Sequence, residues 1–153
     1  MESPGGVFNS QAPTRVNRMQ RRFWTGPAHP VARALVEGDE VAGFTVLDTP
    51  GHSRRHVAYW RESDGVILGD VLNNVNVRTV IPGLHEPHAI LTPDPARNRV
   101  SARRLAQLRP RLTCFGHGAP LRDPGKLAEL AARLPVEHAA GAPHDRVARS
   151  GGR

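Results

Sequence analysis

Proline and glycine interrupt this sequence so often that only short helices and strands are expected, and this limits the fold more than any other feature. The 153 residues include 14 Pro and 15 Gly. Two Asp-Pro pairs, at 94–95 and 123–124, each begin a run with apolar side chains at helical spacing, and Pro110 and Pro135 end these runs. Aspartate is a favoured N-cap, and proline suits the first helical position. We therefore predict two amphipathic helices.

Four apolar runs between these breaks predict short strands. Residues 41–47 are β-branched and aromatic, residues 56–61 alternate between two faces, and two shorter runs lie at 66–68 and 112–115. Residues 71–93 are rich in Asn, Pro and Gly, which predicts a long loop with at most one strand. Several strands with two amphipathic helices predict an α/β (α+β) fold, a mixed sheet with helices on one face.

Two tails flank the predicted fold. Residues 1–27 and 136–153 lack apolar periodicity, so we expect a flexible basic N-terminal tail, a partial domain at 28–135 and a disordered C-terminal tail. No run approaches the roughly 20 apolar residues of a membrane helix, and no signal-peptide core is seen. A cytoplasmic protein without a membrane partner is expected. The single cysteine, Cys114, is predicted to be a buried thiol.

The net charge of +7 suggests nucleic acid as an alternative partner, but the charge is unevenly distributed. Residues 1–35 hold five Arg and one Glu, whereas residues 36–135 hold thirteen basic and eleven acidic side chains. Aromatic side chains among arginines can stack on bases, and the N-terminal tail contains such a group: Arg15, Arg18, Arg21, Arg22, Phe23 and Trp24. Because the predicted domain is nearly neutral, we do not expect nucleic-acid binding.

Three candidate metal ligands follow predicted strands, each beside a glycine. They are His52 in Thr-Pro-Gly-His-Ser, Asp70 in Gly-Asp and His117 in Phe-Gly-His-Gly. Imidazole and carboxylate suit zinc, iron or manganese. Alone, each is more often a turn residue or a cap than a ligand. Their spacing is too long for one helix, so they meet only if their strands end at the same edge of a sheet.

In this order and spacing, the segments 49–53, 69–70 and 116–118, with His56, resemble the third to fifth motifs of the metallo-β-lactamase superfamily. The resemblance covers about residues 30–134. It implies the C-terminal half of a four-layer αβ/βα sandwich. It also implies a role for each motif residue: His52 binds a first metal, Asp70 bridges two metals, His117 binds the second, and His56 supports the site without binding metal.

The resemblance implies a hydrolase in which metal-activated water attacks an ester, thioester, amide or phosphodiester of an unidentified small molecule. The metal is zinc, or iron or manganese, and dinuclear in the full-length family. No catalytic side chain is assigned. The implied chain is truncated, with two kinds of partner: a complementing N-terminal half or a homo-oligomer. A non-catalytic, partner-binding module remains the alternative.

Two departures from the family pattern bear on the site. The motif H-x-H-x-D-H, which supplies the other ligands, occurs nowhere in this sequence, and His85 and His88, separated by Pro87, are interpreted as exposed loop residues. Arg54-Arg55 replaces a small turn pair, and two bulky side chains are expected to reshape the loop that carries His52. The sequence thus predicts an incomplete metal site.

Overall fold

The computed structural model describes residues 32–136, so the predicted tail at 1–27 and all but one residue of the tail at 136–153 lie outside the described residues. The elements run in the order β1 (Glu40–Val41), β2 (Phe44–Asp48), β3 (Val57–Arg61), β4 (Gly65–Gly69), β5 (Asn73–Val75), β6 (Pro82–His85), a 3₁₀ helix (Ala89–Leu91), α1 (Pro95–Gln107), β7 (Leu112–Phe115) and α2 (Pro124–Arg133).

Five of the strands form a mixed sheet in the order β1-β2-β3-β4-β7, and β5 pairs with β6 in a separate two-stranded sheet. Neighbours from β1 to β4 are antiparallel, whereas β4 and β7 are parallel. The connection from β4 to its neighbour β7 passes through α1, because two parallel strands can be joined only by a long crossover. The predicted mixed sheet with two helices is confirmed.

Both helices begin at their predicted caps. The Asp94 side chain accepts a hydrogen bond from Arg97 N at 2.9 Å, and the Asp123 side chain accepts one from Gly125 N at 2.9 Å. Each cap satisfies a backbone N–H that the first helical turn leaves without a partner. Within residues 32–136, neither helix is long and apolar enough to cross a membrane.

The hydrophobic core lies on one face of the five-stranded sheet. Ala58, Val66 and Leu68 project from this face, and Leu105 of α1 and Leu127 of α2 pack against them, all with no more than 1% exposure. Side chains alternate between faces along a strand. Both helices therefore cover the same face.

The opposite face is only partly covered. Ile67 is 42% exposed there, whereas Val46, which lies on the same face, is fully buried. Cys114 pairs with Ile67 across β4 and β7 and is half-buried, so the prediction of a buried thiol is wrong. The buried position on β7 is occupied by its neighbour Thr113.

Two sequence predictions of local structure are wrong. The run 41–47 is two strands, because Ala42 and Gly43 both adopt positive φ and form a hairpin turn. The predicted loop at 71–93 contains both β5 and β6. The turn between them is held by the Asn76 side chain, which accepts hydrogen bonds from Arg78 N and Thr79 N. A side chain bonded to its own turn is a local feature that composition does not reveal.

Candidate metal centre

Strand direction brings the three candidate ligands to one edge of the sheet. Because β2 and β4 are each antiparallel to β3, they run in the same direction, and β7 is parallel to β4. The three strands therefore end at the same edge. His52 lies in the loop after β2, Asp70 directly follows β4, and His117 lies two residues beyond β7.

Asp70 lies between the two histidines. Its Oδ2 atom is 3.8 Å from His52 Nε2, and its Oδ1 atom is 3.6 Å from His117 Nε2. Asp70 Oδ1 is also buried and has no hydrogen-bond partner in the structure. A buried carboxylate oxygen without a partner is energetically costly. Asp70 Oδ1 therefore lacks the proton donor or cation that would offset the cost of its burial.

Two glycines allow the side chains of Asp70 and His56 to lie close to the backbone. A Cβ atom on Gly116 would lie 2.2 Å from Asp70 Oδ1, and one on Gly69, whose φ is +58°, would lie 2.9 Å from His56 Nε2. Neither position accepts a larger residue without displacing the side chain beside it. The glycines that flank the candidate ligands in the sequence are thus required by the packing of the site.

His56 supports Asp70 through its backbone. His56 Nε2 accepts a hydrogen bond from Asp70 N at 3.3 Å, so the proton of the neutral ring lies on Nδ1. That nitrogen donates to the hydroxyl of Thr49, 2.8 Å away, and Thr49 is fully buried. The ring is thereby fixed in one tautomer beside Asp70, in a position to support the site rather than join the ligands.

Thr92 supports His52 in a similar way. When its hydroxyl proton is directed to the carbonyl oxygen of His88, 3.2 Å away, Thr92 accepts from His52 Nδ1, 3.4 Å away. His52 Nε2 is then unprotonated and faces Asp70 Oδ2. Two acceptor atoms face each other with no proton between them, and a cation between them would be favoured.

Burial keeps the two supported histidines neutral. Burial is the main cause that lowers the pKa of His52, the His117 imidazole lowers it further, and the Asp70 carboxylate partly opposes both. Burial also lowers the pKa of His56, with a smaller lowering from His52 and an opposing effect of Asp70. A neutral imidazole has the free lone pair that metal binding needs.

The donor chemistry fits part of a metal site. Two imidazoles and a carboxylate are a suitable ligand set for zinc, iron or manganese, and Asp70 Oδ1 has no other partner. Residues 32–136 contain no group of three or more His, Cys, Asp or Glu side chains arranged to hold a metal ion. The three side chains thus converge without forming a complete ligand cluster.

The loop that carries His52 is not disrupted by its two arginines. Neither Arg54 nor Arg55 adopts a positive φ, in agreement with the expectation that two bulky side chains avoid such a turn. The loop is held against α1, because Asp94 N donates to Gly51 O at 3.2 Å and Gly51 packs directly on Asn98. His52 therefore reaches Asp70 despite the departure from the family pattern.

Among residues 32–136, no ion pair or hydrogen bond joins the imidazole of His85 or His88 to the side chains of His52, Asp70 or His117. His85 is in β6, opposite Asn73, and is half-buried, so its interpretation as an exposed loop residue is wrong. His88 is also half-buried and caps the 3₁₀ helix by accepting from Ile90 N at 3.3 Å. Its role is structural.

Sequence reasoning missed the two supporting threonines. Thr49 begins the Thr-Pro-Gly-His-Ser segment that carries His52, and this position beside a candidate ligand was an available signal. Thr92 is forty residues from His52, and no feature of the sequence links the two. Both are buried hydroxyl groups, which in a folded protein are expected to have hydrogen-bond partners.

Comparison with known proteins identifies relatives in sequence and in fold. The probable metallo-hydrolase YqjP of Bacillus subtilis is 33% identical over 104 residues, which are 65% of this chain and 32% of YqjP. The metallo-beta-lactamase family protein TTHA1429 of Thermus thermophilus matches 78% of this chain and 40% of its own, with 30% identity and a TM-score of 0.54. No family model matches the chain.

A second solved structure, of TTHA1623 in a di-iron-bound form, matches 77% of this chain and 56% of its own, with 30% identity and a TM-score of 0.52. The chain spans about a third of the length of the curated relatives it matches. It is a distant homologue of metallo-hydrolases, and the shared fold and sequence place it, as a partial counterpart of its longer relatives, in the metallo-β-lactamase superfamily.

Proposed function

We propose that this chain supplies the C-terminal half of a metal-dependent hydrolase site in which His52, Asp70 and His117 are metal ligands. The observation that carries the proposal is the position of Asp70, whose two carboxylate oxygens each face one imidazole at 3.8 and 3.6 Å. The relative TTHA1623 was solved with two iron ions. Zinc, iron and manganese all suit this ligand set.

A metal held by His52, Asp70 and His117 would supply a water molecule with a lowered pKa for attack on an ester, thioester, amide or phosphodiester. The residues of this chain hold and orient the ligands. His56 fixes the backbone of Asp70, and Thr92 leaves His52 with its Nε2 lone pair available. Burial lowers the pKa of His52 and thereby favours its neutral ring.

Hydrolysis by this chain needs further ligands. Catalytic zinc sites usually have three protein ligands for each metal, whereas two imidazoles and one shared carboxylate give each of two metals only two. We infer that a complementing N-terminal half containing H-x-H-x-D-H supplies the rest. That half would also cover the exposed face at Ile67 and complete the four-layer sandwich.

The test is complementation. The N-terminal part of YqjP, up to the segment that matches this chain, is co-expressed with the chain, and hydrolysis of a panel of chromogenic esters, thioesters and phosphodiesters is measured with added zinc or manganese. We expect metal-dependent hydrolysis that is lost in Asp70→Asn and retained in the control Asp64→Asn. A stable complex that binds metal and hydrolyses none of these substrates would contradict the proposal.

A partner-binding module without catalysis is the second candidate, and the partly open sheet face favours it. Tyr59, Ile67 and Cys114 form a row across three strands of this face, and Ile67 is 42% exposed. We expect the chain alone to self-associate on a sizing column and Ile67→Asp to be monomeric. Complex formation without metal-dependent hydrolysis would favour this candidate, whereas a monomeric wild-type chain would count against it.

A further inference from the structure

A cavity of about 500 Å³ opens beside the loop that carries His52. Ser53 and Arg54 lie on one wall, and Asp94 and Arg97, from the cap and first turn of α1, lie on the other. The cavity is separate from the sheet-face groove, which is lined by Ile67 and its neighbours. Arg54 belongs to the arginine pair that departs from the family pattern, and the metal site makes no use of it.

The two walls are fixed relative to each other. The hydroxyl of Ser101 in α1 donates to Pro50 O at 2.8 Å, and Asp94 N donates to Gly51 O at 3.2 Å. Gly51 is buried so tightly that a Cβ atom would lie 2.2 Å from Asn98 N. The cavity therefore exists before a ligand binds, and binding loses little conformational entropy of the protein.

The charge of the cavity favours an anion. Within residues 32–136, neither Arg54 nor Arg97 takes part in an ion pair such as those of Arg61 and Arg104. Asp94 is the single acid in the wall, and its Oδ1 atom already accepts from Arg97 N at 2.9 Å. The cavity is thus lined by two exposed arginines and one occupied carboxylate, and a guanidinium group presents donors suited to an oxyanion.

We propose that this cavity is an oxyanion subsite, in which Arg54 and Arg97 bind a carboxylate or phosphate group of the substrate. The assignment of the anion to the substrate rests on the proposed function, in which His52 is a metal ligand. Ser53, in the wall of the cavity, directly follows His52 in the chain. Consecutive Cα atoms are about 3.8 Å apart. A group bound here would lie beside the loop of the reacting centre and would select anionic substrates.

The test measures anion binding without metal. The chelator-treated chain is titrated with sodium phosphate, and separately with sodium acetate, at constant ionic strength, while backbone amide signals are followed by NMR. We expect saturable shifts confined to residues 50–54 and 93–97. Arg54→Ala and Arg97→Ala should each weaken binding at least about tenfold. The control Arg122→Ala, an exposed arginine beside the other groove, should leave it unchanged.

The outcomes of this titration distinguish the subsite from the proposed function. Saturation by phosphate alone assigns a phosphate group, and saturation by acetate alone assigns a carboxylate. No saturable shift with either anion, or shifts that survive in both arginine variants, overturns the subsite. Because the measurement needs no metal, anion binding by a chain that binds no metal in any complex would contradict the proposed function alone. Metal binding without anion binding would contradict the subsite alone.

Discussion

The two histidines on either side of Asp70 differ in how firmly the chain holds them. The His52 side chain is 22% exposed, and its Nδ1 atom contacts the buried hydroxyl of Thr92. The His117 side chain is 57% exposed, and the described residues give its imidazole one ionic contact, with Asp70 Oδ1. One side of the site is preorganised, whereas the other is open.

The difference indicates which part of the site depends on further protein. Ligands bind metal more tightly when buried hydrogen bonds fix their orientation and tautomer. The chain supplies such bonds to His52 and to the backbone of Asp70, through Thr92 and through His56 and Thr49. We therefore expect any metal bound by this chain alone to lie on the His52 side.

Substitution of Asp70 should have the largest effect, because both sides share its carboxylate. In Asp70→Asn, the side chain keeps its shape and loses its charge. We expect zinc affinity, measured by isothermal titration calorimetry, to fall by more than the roughly 10–100-fold cost of losing a supporting residue. Asp64→Asn, an exposed control, should bind zinc as the wild type does. Equal affinity in the two variants would rule out a shared carboxylate.

Separate removal of the histidines should expose the asymmetry directly. We expect His52→Ala to abolish zinc binding by the isolated chain and His117→Ala to weaken it less, because His52 is the buried and oriented ligand. His85→Ala serves as the matched control, since His85 lies outside the converging side chains. A larger loss in His117→Ala than in His52→Ala would reverse the comparison.

The supporting threonines should have intermediate effects. Thr92→Val removes the acceptor for His52 Nδ1, and we expect zinc affinity to fall roughly 10–100-fold, with recovery in Thr92→Ser and no change in Thr79→Val.

Thr49→Val leaves the His56 Nδ1 proton without a partner and should lower the free energy of unfolding by about 1–3 kcal/mol. Denaturant titration checks the second effect. Wild-type stability in Thr49→Val would show that His56 needs no such anchor.

The smallest expected effect is on the pH dependence of stability without metal. Burial lowers the pKa of His52 and of His56 below the ordinary value of about 6.5. The unfolded state therefore binds protons more readily, and the free energy of unfolding should be highest above pH 6.5 and fall as the pH drops through the folded-state pKa values. Urea midpoints at pH 7.5 and 5.5 measure this. His56→Gln should reduce the dependence, and a midpoint that rises on acidification would contradict it.

The sequence predicted the parts of the fold that local chemistry determines. The two Asp-Pro caps located both helices, and the run 56–61 was assigned the correct two faces. The turn at Ala42 was missed because positive φ at an alanine has no signal in the sequence, and the hairpin of β5 and β6 was missed because composition does not reveal the local bonds of the Asn76 side chain.

The site was predictable to the same extent. From the residues alone, His52, Asp70 and His117 would meet only if their strands ended at one edge, and the family resemblance was what implied a shared site. The contact between His52 and Thr92 was not predictable, since α1 and the preceding loop bring the two together across forty residues. The packing of Gly51 on Asn98, which holds the His52 loop in place, is tertiary in the same sense.

The location of a bound metal tests the central claim most directly. Crystals of the chain soaked in zinc would be measured at the zinc absorption edge, and the anomalous difference map would locate the ion. We predict a peak about 2.0–2.2 Å from His52 Nε2 and from the Asp70 carboxylate. A peak at another place, or none at saturating zinc, would contradict the assignment of these residues as metal ligands.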